Sequence, residues 1–154
     1  MEYNPHQSKL RLESSISFGR EGRIEEWVHD FLSNEGNNMP LLEGLKKQKR
    51  FWHGPIEIKL NQLRRTAGPE PEMPYRSISE QAWNNKISSI QEHHKRGGSL
   101  PPLIAEYVNG ELMLRDGNHR HGALAKQERD SYWTIIWFNS EADEQKFKHA
   151  YERK

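Results

Sequence analysis

Leu112-Met113-Leu114-Arg115-Asp116-Gly117-Asn118-His119-Arg120-His121-Gly122-Ala123-Leu124 is the stretch on which the fold turns. Leu112 and Leu114 alternate with other residues as in a strand, Asp116-Gly117 is a turn signal, and the residues from Asn118 onward suit a helix. A strand that passes at once into a helix leaves the first helical N–H groups without partners, at the positive end of the dipole. Such a terminus favours an anion. Arg120 brings a planar, permanently charged fork matched to phosphate or carboxylate. His119 adds a titratable donor, and Gly117 gives a ligand close access to the backbone. The same spacing also fits a plain tight turn, in which Asp116 caps the helix and Arg120 pairs with a carboxylate.

Working outward, Leu103–Val108 and Glu111–Leu114 flank Asn109-Gly110, the strongest short hairpin signal. On the other side a short helix over Asn118–Gln127 leads to Tyr132-Trp133-Thr134-Ile135-Ile136-Trp137-Phe138, apolar enough for the middle of a sheet. Ser140 with Asp143 then opens a last helix that turns Phe147 and Tyr151 inward. Upstream, Ser77 and Glu80 have capping-box spacing. The helix they open carries Trp83, Ile87, Ile90 and His94 as a stripe and stops at Gly97-Gly98. Pro55–Leu60 alternates as a half-buried strand, and three prolines between Ala67 and Pro74 predict an extended loop able to lie over a ligand.

The first strong helix has Ile24, Trp27, Val28, Phe31 and Leu32 on one face and ends in Asn34–Asn38. A second is expected from Pro40 to near Gly54, burying Leu41, Leu42 and Leu45 and carrying Lys46–Arg50 as a solvated basic face. Residues 1–22 read as a polar, flexible lead-in from which Ile16 and Phe18 dock. The expected architecture is α+β, a small mixed sheet with packed helices. Its expected divisions are a lead-in over 1–22, an N-terminal helical extension over 23–54 and the main domain over 55–154.

Only 33% of the 154 residues are hydrophobic, and mean hydropathy is −1.05. Five Trp, five Tyr and five Phe nonetheless fall mainly in the periodic segments, so a small core under a polar surface is expected. With 23 basic and 22 acidic residues, the net charge of +1 offers no global attraction for nucleic acid, and a DNA partner is not favoured. The absence of cysteine excludes disulfides, thiolate chemistry and Cys-based zinc sites. The adjacent His93 and His94 point in different directions on their helix, so no metal site is read there. No apolar run reaches membrane-spanning length and the N-terminus lacks a signal-peptide core, so a cytoplasmic protein without a membrane partner is expected.

Taken in this order, the segment from about Pro55 to Phe138 resembles the ParB/sulfiredoxin-like superfamily. The residues that carry the likeness are Pro101-Pro102-Leu103-Ile104, then Asp116-Gly117-Asn118-His119-Arg120 and Ala123. Members hold nucleotide phosphates at this helix start: partition proteins with Gly-Glu-Arg-Arg bind CTP, sulfiredoxins with Gly-Cys-His-Arg use ATP, and a free-serine kinase has Asp-Gly-His-His-Arg. The resemblance implies a nucleotide ligand (ATP, ADP or CTP) with Mg²⁺. Gly117, Asn118, His119 and Arg120 would contact phosphate, with Arg76 as a further candidate from the Pro71–Arg76 loop. It implies that Asp116 orients or deprotonates a substrate hydroxyl, with His119 donating to phosphate and Glu72 as an alternative base. The expected activity is phosphotransfer to a small hydroxyl compound, or nucleotide sensing without catalysis. A nuclease-like or otherwise DNA-associated role is the third expectation; it would draw on Asp116, His119, His121 and the Lys46–Arg50 run. Asn118 stands where sulfiredoxins have their reactive cysteine, which excludes their chemistry. The short stretch after the last strand leaves no expectation of a helix-turn-helix or dimer domain.

Overall fold

The structure is a computed structural model, and it describes residues 11–151 apart from 72 and 75, together with the backbone but not the side chain of 76. In chain order it runs α1 (Leu12–Arg20), α2 (Ile24–Ser33), α3 (Met39–Leu45) and β1 (Phe51–Lys59). A 3-10 turn (Leu60–Gln62) precedes β2 (Leu63–Arg64), β3 (Ala67–Gly68), β4 (Arg76–Ser77) and α4 (Glu80–Lys95). There follow β5 (Leu103–Val108), β6 (Glu111–Asp116), α5 (Asn118–Lys126), β7 (Ser131–Phe138) and α6 (Glu141–Tyr151). Five strands form one mixed sheet in the order β1-β7-β5-β6-β2, while β3 and β4 pair separately. The β5–β7 and β2–β6 pairs are parallel, and β1–β7 and β5–β6 are antiparallel. The class is α+β, as the sequence predicts.

Period two sorts the central strands onto two faces. Leu103, Ala105, Ile136 and Phe138 pack on one side with Leu124 of α5 and Phe147 of α6. Ile104, Ile135 and Trp137 pack on the other with Trp27, Phe31 and Leu32 of α2 and Leu42 and Leu45 of α3. A strand buried on both faces reads as a continuous apolar run, which accounts for Tyr132–Phe138. Trp83 and Ile87 of α4 clasp Ala123 of α5 in a third cluster. Asn109 and Gly110 have φ of +53° and +78°, the left-handed pair of a type I′ turn, so the hairpin closes as its dipeptide dictates.

Several expectations give way. Within the lead-in, residues 12–20 form α1. Its Leu12 packs against the first core cluster and Phe18 against the second, while Trp27 Nε1 donates to Ser14 Oγ at 2.9 Å. The second helix stops at Leu45, and Lys46–Arg50 lead out of it instead of riding on it. The chain from Phe51 is drawn into the sheet because Phe51, Trp52 and His53 pair with Phe138, Trp137 and Ile136 of β7. Ser79, not Ser77, caps α4, accepting from Ala82 N at 3.2 Å. The proline-rich stretch opens with the short strand β3. No described helix is long and apolar enough to cross a membrane.

Candidate functional site

At the end of β6 the backbone reaches Gly117 with φ +99°, a left-handed conformation that glycine adopts without penalty. A Cβ there would lie 2.8 Å from Leu103 Cδ2 and 2.9 Å from Arg120 Nη2, so the turn needs both the dihedral and the empty space. From this turn α5 starts, and Gly117 O receives the N–H of His121 at 2.8 Å. A cavity of about 650 Å³ opens over the turn. Asp116, Gly117, Asn118 and His119 line it from one element pair; Asn38, Pro40, Leu41, Gly44 and Leu45 line it from α3 and its approach. Its volume lies in the range of small-molecule sites.

The motif side chains divide by direction. Arg120 is not among the lining residues: its Nη2 donates to Pro102 O at 2.9 Å and to Asp116 Oδ2 at 3.2 Å, and its guanidinium stands 5.7 Å from the Phe31 ring centroid. The expected phosphate fork is therefore turned inward, because Asp116 and a strand-end carbonyl outcompete open solvent for it. Asp116 is held from the other side by Asn38 Nδ2 at 2.9 Å. Asn118 does not offer its amide to the cavity alone. Its Oδ1 accepts from Thr66 N at 2.7 Å and Ala67 N at 3.1 Å, tying the β2–β3 connection to the start of α5. His119 lines the cavity and lies 4.7 Å from the Trp83 ring, whose surface also carries the Arg65 guanidinium at 4.8 Å. Arg65 in turn pairs with Glu70, and that ion pair holds the Glu70 carboxyl below its usual range against the opposing effect of burial.

Two candidates cannot be placed. Glu72 lies outside the described residues, and of Arg76 only the backbone, in β4, is described. His121, named with the DNA-associated expectation, is buried, and its Nε2 donates to Leu60 O at 2.8 Å. Burial lowers its pKa, the Leu60 carbonyl opposes that, and Arg65 adds to it.

Sequence reasoning missed a polar group deeper in the same cavity. Glu106 of β5, only 8% exposed, accepts from Arg115 Nη2 at 2.6 Å and from Asn139 Nδ2 at 2.9 Å. Arg50 reaches the cavity wall from the far end of the basic run, stacks 4.8 Å from the Trp137 ring and donates to Asn139 Oδ1 and to Gly44 O. The signal in the sequence was a charge inside an otherwise apolar strand, Glu106 within Leu103–Val108, which a buried strand tolerates only with a partner. Among the described residues no group of three His, Asp or Glu side chains is arranged to hold a metal ion.

No family model matches this chain, and no curated protein sequence does. Comparison of folds finds likenesses to solved structures. Sulfiredoxin from Arabidopsis thaliana is 25% identical over 53% of this chain and 81% of its own, with a TM-score of 0.40. The C-terminally truncated chromosome-partitioning protein ParB from Caulobacter crescentus, complexed with CTP-gamma-S, is 18% identical over 70% of this chain, with a TM-score of 0.40. A Pnob8-like ParB-N domain is 16% identical over 68% of this chain, with a TM-score of 0.41. This chain spans 55% of the Caulobacter protein's chain and 36% of the ParB-N chain. In fold it is similar to both groups, sulfiredoxin and ParB N-terminal domains.

Proposed function

We propose that the cavity between α3 and the first turn of α5 binds the phosphates of a nucleotide, and that the chain is a nucleotide-binding module whose N-terminal helices register whether the site is filled. The first-turn N–H groups of α5 supply fixed donors, and His119 adds a side chain on the same wall. The likeness of Asp116-Gly117-Asn118-His119-Arg120 to helix starts that hold nucleotide phosphates supports the choice of ligand. Mg²⁺ would arrive on the ligand's phosphates and water, the usual arrangement for this cation.

One observation carries the coupling. Asn38, 78 residues away in sequence, caps α3 by accepting from Leu41 N at 3.3 Å and with its amide nitrogen holds Asp116 at 2.9 Å. A ligand that moves the turn therefore pulls on α3. Phosphotransfer would ask Asp116 or Glu72 to take a hydroxyl proton. Asp116 already serves Arg120 and Asn38, which favours a binding role for it over use as a base.

A thermal-shift screen of ATP, ADP and CTP, each with and without Mg²⁺, tests this. A ligand at a hundred times its Kd stabilises by about 2.7 kcal/mol, which for a chain of this length raises Tm by roughly 5–10 °C. The expected result is such a rise for at least one nucleotide, without turnover to product. A flat response to all of them overturns the proposal.

A further inference from the structure

The α5 turn is not the cavity's only donor surface. Arg115 of β6 has Glu106 as its ion-pair partner and Arg120 has Asp116. Arg50 is different. Its hydrogen bonds go to Leu45 O at 3.3 Å, Gly44 O at 2.8 Å and Asn139 Oδ1, all uncharged acceptors, and among the described residues no carboxylate stands within ion-pair distance of it. Trp137, directly beneath that guanidinium, is only 5% exposed and lines the same cavity, yet its indole N–H has no acceptor among the described residues. A buried N–H left unpaired is costly, and a guanidinium without a counter-charge invites one. Both groups only donate. A ligand that completes this corner brings acceptor oxygens to the indole N–H, and an anionic one also gains Arg50 as its counter-charge.

We infer that Arg50 and Trp137 form a second anion subsite, so that the cavity takes a ligand with two anionic groups, a nucleoside di- or triphosphate and not a monophosphate. The inference rests on the nucleotide reading above and deepens it. One anionic group meets the α5 turn beside His119. The further phosphate reaches Arg50, whose guanidinium is held over the Trp137 ring by the α3 carbonyls and Asn139. The basic run Lys46–Arg50 thus ends in a ligand-binding residue, not in a solvated face.

Titration calorimetry on the full chain tests it, using the mono-, di- and triphosphates of one nucleoside, plus inorganic tripolyphosphate, against wild type, Arg50→Gln and Trp137→Phe. Wild type is expected to bind the triphosphate at least tenfold more tightly than the monophosphate, a ratio in keeping with one added charge-assisted hydrogen bond. Arg50→Gln is expected to erase that preference while leaving monophosphate affinity within about twofold. Trp137→Phe, which keeps the ring and removes only the N–H, is expected to weaken the triphosphate severalfold, and it serves as the test if Arg50→Gln loosens α3. Triphosphate affinity unchanged in both variants overturns the second subsite and leaves the nucleotide reading standing. Wild type that ignores every nucleotide but binds tripolyphosphate through Arg50 overturns the nucleotide reading and keeps the subsite. Binding of none of them overturns both.

Discussion

Asp116 and Arg120 meet at 3.2 Å with side chains only 11% and 16% exposed, so removing the guanidinium strands a carboxylate away from water. Arg120→Ala is therefore expected to lower unfolding free energy by about 3 kcal/mol, the usual cost of breaking a buried pair, measured by urea denaturation. Any loss of ligand binding in that variant would follow from a collapsed turn, which is why Arg50 is the cleaner probe. His121 carries a pH signature. Its folded pKa lies below the ordinary value because burial disfavours the imidazolium. The unfolded chain thus takes the proton first: stability is greatest above about pH 6.5 and falls as pH drops toward the lower folded value. In melts between pH 5 and 8, His121→Gln should lose part of that slope. The sequence named Arg120 and Asp116 but could not choose between an outward fork and an inward pair. Both use the same residues at the same spacing, and the Pro102 carbonyl that draws Nη2 inward comes from another segment.

At the scale of elements, local chemistry was legible where it was self-contained. The Asn109-Gly110 turn, the apolar face of α2 and the Ser140 cap, whose Oγ accepts from Asp143 N at 3.1 Å, all depend on neighbours in sequence. Boundaries set from afar were not. Ser77 and Ser79 both stand before an acidic-led helix, but Ser77 is taken into β4 by pairing with Gly68, which leaves Ser79 to cap. Ser79→Ala should cost about 1 kcal/mol of stability, whereas Ser77→Ala should change it by less than about 0.5 kcal/mol; chemical denaturation of the two side by side distinguishes them. Likewise α3 stops at Leu45 because Phe51–His53 have partners in β7, and no pattern inside residues 46–54 announces that.

For the whole molecule, the sheet is a shared wall between two cores, one closed by α2 and α3 and the other by α5 and α6. The mixed sheet was readable from the order of strands and helices, while the placement of α1 and α3 against it was not, since it is fixed by contacts with β5 and β7, far along the chain. If the Asn38–Asp116 link transmits occupancy, nucleotide should slow amide exchange in α3 as well as α5. In Asn38→Ala the protection should remain in α5 and vanish from α3, which hydrogen–deuterium exchange reads directly. The packing of α2 and α3 on β7 has one more consequence. Trp27, Phe31 and Leu42 are complete as helices early, but the surface they cover includes Ile135 and Trp137. On the ribosome, their apolar faces must wait for β7 to emerge before they can be covered. Such late closure exposes a nascent chain to aggregation, so translation stalled before Ser131 should yield a species that chaperones retain.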